Sequence, residues 1–133
     1  MTGASDAASP LYTRLRRALP AAMKARDRAA VAALRSAVAA IDNAQAAEGP
    51  AVPRSGGVIA GAVSGLGAGD APRRELSDAD VAAIVSTEIA DRRIAAADYE
   101  RAGQVDAAAG LTAEADVLAA HLAAASSDPR SSP

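Results

Sequence analysis

The stretch Glu75–Leu122, ELSDADVAAIVSTEIADRRIAAADYERAGQVDAAAGLTAEADVLAAHL, decides the fold, and its pattern is that of two helices folded back on each other. Ser77 suits an N-cap, because a serine hydroxyl accepts from the orphan amides of a first turn. Asp80, three residues on, completes a capping-box-like start and sets negative charge at the positive end of the helix dipole. Val81, Ile84, Val85, Ile89, Ala96 and Tyr99 then recur at helical spacing and define an inward face. Gly103 supplies a left-handed position without steric cost and ends the helix. Ala108, Leu111, Ala115, Leu118 and Leu122 follow at intervals of 3, 4, 3 and 4, the seam of a coiled-coil-type contact.

The rest of the composition agrees with this stretch. A chain of 133 residues allows one domain. Its hydrophobic content is misleading: 40 residues are alanine and only 27 are Val, Leu, Ile, Met or Tyr, with no Phe or Trp. The core must therefore be thin and built by close approach of helices over alanine, the best helix former. A thin core implies modest stability or completion by a partner surface. Without cysteine, disulfide and thiolate chemistry are excluded, which is compatible with a cytoplasmic address. The opening MTGASDAASP has neither a basic nor an apolar region, so no signal peptide is expected. The weakly polar run Val58–Gly69 is too short and too glycine-rich to span a bilayer, so no membrane role is expected. Arginine outnumbers lysine so heavily, with Lys24 alone, that a GC-rich bacterial genome is the expected source.

Outside the opening stretch, Ser9-Pro10 reads as N-cap followed by N1 of a first helix running to about Arg26. Its inward residues are expected to be Leu11, Tyr12, Leu15, Leu19, Ala22 and Met23, with a kink where Pro20 removes a backbone hydrogen bond. Asp27 reads as the N-cap of a second helix to about Glu48, with Val31, Leu34, Val38 and Ile41 inward and Gly49-Pro50 as the stop. So short a link leaves two possibilities, a tight helical hairpin or one long bent helix. Between Gly49 and Arg74, glycine, proline and serine dominate around one apolar island, Val58 to Val63, and a flexible loop is expected. The expected architecture is all-α: two antiparallel helical hairpins, about four helices, joined by this long Gly-rich loop. The helical domain spans 10–123, with 49–74 as its internal loop and disordered tails at 1–9 and 124–133.

Charge is unevenly placed although the net is only −2. From Pro10 to Ile41, Arg14, Arg16, Arg17, Lys24, Arg26, Arg28 and Arg35 face Asp27 alone, a balance of +6. From Glu75 to Asp116 there are ten acids against Arg92, Arg93 and Arg101, a balance of −7. One reading is two hairpins of opposite sign that attract each other. The other is a basic face for an RNA backbone, using Arg14, Arg17, Lys24 and Arg28. With no aromatic platform for stacking bases, such binding would be weak and sequence-tolerant.

Two ionic residues stand on an apolar face. Glu88 and Arg92 fall within about 20° of the centre of the face led by Val81, at 100° per residue, and are i and i+4. They form either a structural ion pair or a polar contact for a partner or ligand. Arg93 lies off that face. His121 is the only histidine, so neither a zinc site nor a nucleophile–base–acid constellation can be assembled, and no spacing demands magnesium. The run GAVSGLGAGD lacks the GxxxxGK core of a phosphate loop and reads as a connector. Gly110, inside the last helix, is expected to mark a close helix crossing. No catalytic residue, metal or cofactor is expected.

The segments MKARDRAAVAALRSAVAAIDNA, RRELSDADV, EIADRRIAAADYERAGQVDAA and EADVLAAHL together resemble the GatB/YqeY domain family, over roughly residues 11 to 122. The resemblance implies an all-α fold, found in small stand-alone bacterial proteins and in the tail of the B subunit of the tRNA-dependent amidotransferase. In that enzyme the tail is associated with gripping tRNA, while amide transfer belongs to other domains. The implied role is a non-enzymatic module near tRNA or the translation apparatus. The alternative is a helical adaptor completed by a protein partner or by homo-oligomerisation. The sequence departs from the family in two places. Where relatives continue past Tyr-Leu-Pro into a three-helix subdomain, His121-Leu122-Ala123 stands here and that subdomain is not expected; the loop at 49–74 is also longer and richer in glycine.

Overall fold

The computed structural model of the protein describes residues 9–46 and 75–127. Within them the chain is all-α, with four helices and no strand among the described residues: α1 Pro10–Ala25, α2 Arg28–Ala46, α3 Asp78–Arg101 and α4 Val105–Ser127. None of these helices is long and apolar enough to cross a membrane. The Gly-rich stretch 49–74, expected as a flexible loop, lies outside the described residues.

Local chemistry sets the ends of α1. The Ser9 hydroxyl accepts from the amides of Leu11 and Tyr12, at 3.1 and 3.3 Å, and Pro10 takes the first turn, where a missing N–H costs nothing. Pro20 lies inside the helix on an exposed position, and α1 runs on past it to Ala25. The helix ends at Arg26, which adopts a left-handed conformation at φ 59° and ψ 36°. Its amide donates to the carbonyls of Ala22 and Met23, and the Asp27 amide donates to Ala22 at 3.0 Å. The chain therefore breaks sharply between α1 and α2 instead of forming one bent helix. A non-glycine residue in this conformation costs about 1 kcal/mol, and the closed carbonyls offset part of it. The Asp27 carboxylate then accepts from the Ala30 amide at 3.1 Å and caps α2. The Tyr12 hydroxyl donates to Asp42 at 2.7 Å, tying the first turn of α1 to the far end of α2, so the two helices run antiparallel.

The capping box at Ser77 is present in full: the Ser77 hydroxyl accepts from the Asp80 amide and the Asp80 carboxylate accepts from the Ser77 amide, both at 3.0 Å. At the other end α3 stops at Ala102, and Gly103 follows at φ +79°. The amides of Ala102, Gly103 and Gln104 turn back to carbonyls of the last turn, and α4 begins at once. This helix continues four residues beyond the expected limit at Ala123. Ala125 is buried in the core, and the hydroxyls of Ser126 and Ser127 donate to the carbonyls of Leu122 and Ala123. An alanine run extends a helix wherever one of its methyls finds a packing partner.

The core is as thin as the composition requires. Leu11 and Leu15 of α1, Leu34 and Ile41 of α2, Val81 and Val85 of α3, and Leu118 of α4 meet around the buried alanines Ala30, Ala33 and Ala37. On α2 Ala33 and Ala37 are as deeply buried as Leu34 and Ile41, while Val31 and Val38 are half-buried at the edge. Two residues expected inward are exposed instead, Met23 at 48 % and Tyr99 at 44 %. Tyr99 lies in the last turn of α3, beyond the main core, whereas Met23, in the last turn of α1, stands next to the buried Ala22 and points away from the core.

Gly110 is exposed, and a Cβ added there meets nothing within 4 Å, so it marks no close crossing. The two glycines therefore predict opposite outcomes. Gly110→Ala raises stability by up to about 1 kcal/mol by removing backbone entropy from the unfolded chain. Gly103→Ala lowers it by about 1 kcal/mol, because its φ is positive although space is open. Thermal melts of the two variants check the contrast, and equal shifts would contradict it.

Candidate functional site

The strongest polar cluster sits where α2, α3 and α4 meet. Arg92 on α3 donates through Nη1 to the Glu88 carboxylate at 2.8 Å and through Nε to the Glu114 carboxylate of α4 at 2.9 Å. Nη1 also reaches the Glu88 carbonyl at 3.1 Å. From α2, the Ser36 hydroxyl donates to the same Glu88 oxygen at 2.7 Å. The three ionic side chains are 13 %, 19 % and 21 % exposed, so each is largely withdrawn from water without being sealed from it. Burial opposes the Arg92 charge, but its hydrogen bonds to Glu114 and Glu88 outweigh that and raise its pKa above the ordinary arginine value. The group carries one cation and two anions held by directed bonds, an arrangement suited to fixing three helices in register.

The sequence placed Glu88 and Arg92 together; it did not identify Glu114 or Ser36. A signal for Glu114 was present. It stands three residues after Leu111 and four before Leu118, within the apolar seam of α4. Ser36 carries no comparable mark.

The residues expected to bind RNA lie on the α1–α2 hairpin. Arg14, Arg17 and Lys24 fall within an arc of about 80° on α1, at 100° per residue, and Arg28 opens α2 with Arg35 two turns on. Arg17, Lys24, Arg28 and Arg35 are exposed; Arg14 is half-buried beside His121. Burial lowers the His121 pKa below its ordinary value, and the nearby Arg14 charge lowers it further. Arg16 is engaged locally, donating to the Tyr12 hydroxyl at 3.1 Å with its guanidinium 5.7 Å from the ring centre.

The ion pairs are distributed asymmetrically. Arg92 with Glu88 and Glu114, Arg93 with Asp116, and Arg101 with Asp98 all lie within the α3–α4 hairpin. Arg14, Arg17, Lys24, Arg28 and Arg35 enter no ion pair among the described residues. Opposite hairpin charges thus do not meet as ion pairs across the interface, where Ser36 supplies a neutral donor to Glu88 instead.

A groove of about 290 Å³ opens at the end where α1 and α3 begin and α4 finishes, lined by Pro10, Leu11, Ala79, Ala82, Leu122 and Ala125. Its serines are occupied, Ser9 in capping α1 and Ser126 in bonding the Leu122 carbonyl. Asp78 is its acid, and no base faces a nucleophile there. Among the described residues no three His, Asp or Glu side chains converge as metal ligands.

The described residues thus hold four helices, a partly buried polar cluster that joins three of them, and, on one hairpin, cations that enter no ion pair among these residues. No protein-family model matches it, and no curated protein or solved structure does.

Proposed function

We propose that the protein is a non-enzymatic helical module of the GatB/YqeY type that holds an RNA backbone, with tRNA as the expected ligand, on the basic α1–α2 hairpin. The observation that carries this reading is the set of unpaired cations. Among the described residues Arg14, Arg17, Lys24 and Arg28 share one hairpin without ion-pair partners, while the cations of α3 and α4 are paired. A phosphate backbone neutralises such a set and releases the counterions that otherwise surround it. The cations lie on rigid helices, so their positions cost little ordering on binding. Recognition would go to phosphate and not to base edges, since the hairpin's one aromatic residue, Tyr12, is bonded to Asp42 and covered by Arg16.

Reversal of two charges tests it. Arg14→Glu with Arg17→Glu lowers affinity for structured and single-stranded RNA alike, by roughly tenfold or more at low salt, and leaves any residual sequence preference unchanged. Fluorescence anisotropy with labelled tRNA and an unrelated RNA reads both effects. Undiminished binding by the double variant would remove the hairpin from the contact.

A further inference from the structure

The helices that bound the core differ in length, and the difference leaves a step. Pro10 of α1 and Asp78 of α3 line the same groove, so α1 and α3 start at one level and run in the same direction. At 1.5 Å per residue α1 spans about 24 Å and α3 about 36 Å, so the α3–α4 hairpin overhangs the α1–α2 turn by about 12 Å. Burial agrees: every residue from Ala97 to Ala107 is exposed, and the main core reaches no further along this hairpin than Ile89 and Val117. The overhang is held together by small contacts between its own helices, with Ala96 and Ala108 buried.

The inward face of α3 does not end where its neighbours end. At 100° per residue, Tyr99 points within about 20° of the direction of Glu88, which contacts α2. Tyr99 is exposed because α1 and α2 stop short of it. All four exposed large hydrophobic side chains among the described residues lie toward this end: Met23, Ile94, Tyr99 and Val105. The charges at the step are complementary. Among the described residues the overhanging tip carries Glu100 and Asp106 without ion-pair partners, beside the paired Asp98 and Arg101, while the recessed α1–α2 turn carries Lys24, Arg26 and Arg28, also without ion-pair partners, around the single acid Asp27.

We propose that the step is a self-association surface filled by the overhang of a second copy. In a two-fold pair the two overhangs pack antiparallel, Tyr99 of each is covered, and each acidic tip lands on the other copy's basic turn. Two copies complete reciprocally what one leaves open. The proposal is independent of the RNA reading, because it concerns RNA-free protein, but the contact shares Lys24 and Arg28 with the proposed RNA face.

Sedimentation equilibrium of the full, RNA-free chain at low salt tests it. The expected result is a concentration-dependent rise from 13.1 kDa to twice that mass. Arg28→Glu and Glu100→Arg each weaken the dimer by about tenfold, because a two-fold axis doubles every charge contact. Both variants keep the fold, since an acid at the start of α2 and a base at the end of α3 suit the helix dipoles. Combined in one chain they restore association, and Tyr99→Ala abolishes most of it. A 13.1 kDa monomer at every concentration up to about 1 mM, a dimer indifferent to both reversals, or a double variant no better than the weaker single one would each overturn the proposal.

Discussion

Leu118→Ala lowers the free energy of unfolding by about 3 kcal/mol, as expected for a fully buried leucine. Leu118 has no exposed surface and meets the core residues of the other helices from its place on α4. Removing it deletes buried methyl groups and leaves a cavity. The surrounding side chains are too short to fill that space, since so many positions at the helix contacts are alanine. A domain of this size commonly holds 5–15 kcal/mol in all, so the loss is a large fraction of the total. Leu111→Ala, at a half-buried position of the same seam, costs about 1 kcal/mol. Urea unfolding of both variants provides the comparison; similar midpoints would show that Leu118 is not central to the core.

Arg92→Ala costs about 2 kcal/mol by a different route. It removes one cation and leaves two carboxylates, Glu88 and Glu114, partly withdrawn from water without their shared partner. Glu88 keeps the Ser36 hydroxyl, so the Glu114 carboxylate bears the greater part of the loss. Replacing Arg92 and Glu88 together by leucine recovers only a fraction of the stability, because Glu114 still lacks its donor. Adding Glu114→Leu and Ser36→Ala recovers most of it, since an apolar contact has no unmet hydrogen bonds. Melting temperatures across this series measure the coupling. A variant lacking only Arg92 that melts like the unaltered protein would show that the cluster serves some other purpose than holding the helices.

Local rules carried most of the reading of the fold. Ser9, Asp27 and the Ser77–Asp80 pair name helix starts because a cap is a contact between residues two or three apart, fully written in the sequence. Glu88 and Arg92 were legible for the same reason, being one turn apart. Glu114 belongs to another helix, and its pairing with Arg92 depends on how α3 and α4 align, which periodicity does not specify. Alanine obscured the face of α2: a search for large apolar residues selects Val31, Leu34, Val38 and Ile41, of which Leu34 and Ile41 are buried, and passes over the equally buried Ala33 and Ala37. Tyr99 shows a further limit. Helical spacing gives the direction in which a side chain points, and Tyr99 does point inward, but it does not tell where the neighbouring helix stops. The basic hairpin was legible as composition, whereas the absence of ion-pair partners for Arg14, Arg17, Lys24 and Arg28 among the described residues is a property of the folded arrangement.

Binding of labelled tRNA across salt concentrations from about 50 to 200 mM tests the RNA reading most directly. If four cations of the α1–α2 hairpin hold phosphates, the logarithm of the association constant falls linearly with the logarithm of salt, with a slope of about −3. The Arg14→Glu, Arg17→Glu variant reduces that slope by about 2. No binding at the lowest salt, or affinity indifferent to salt, would contradict the account.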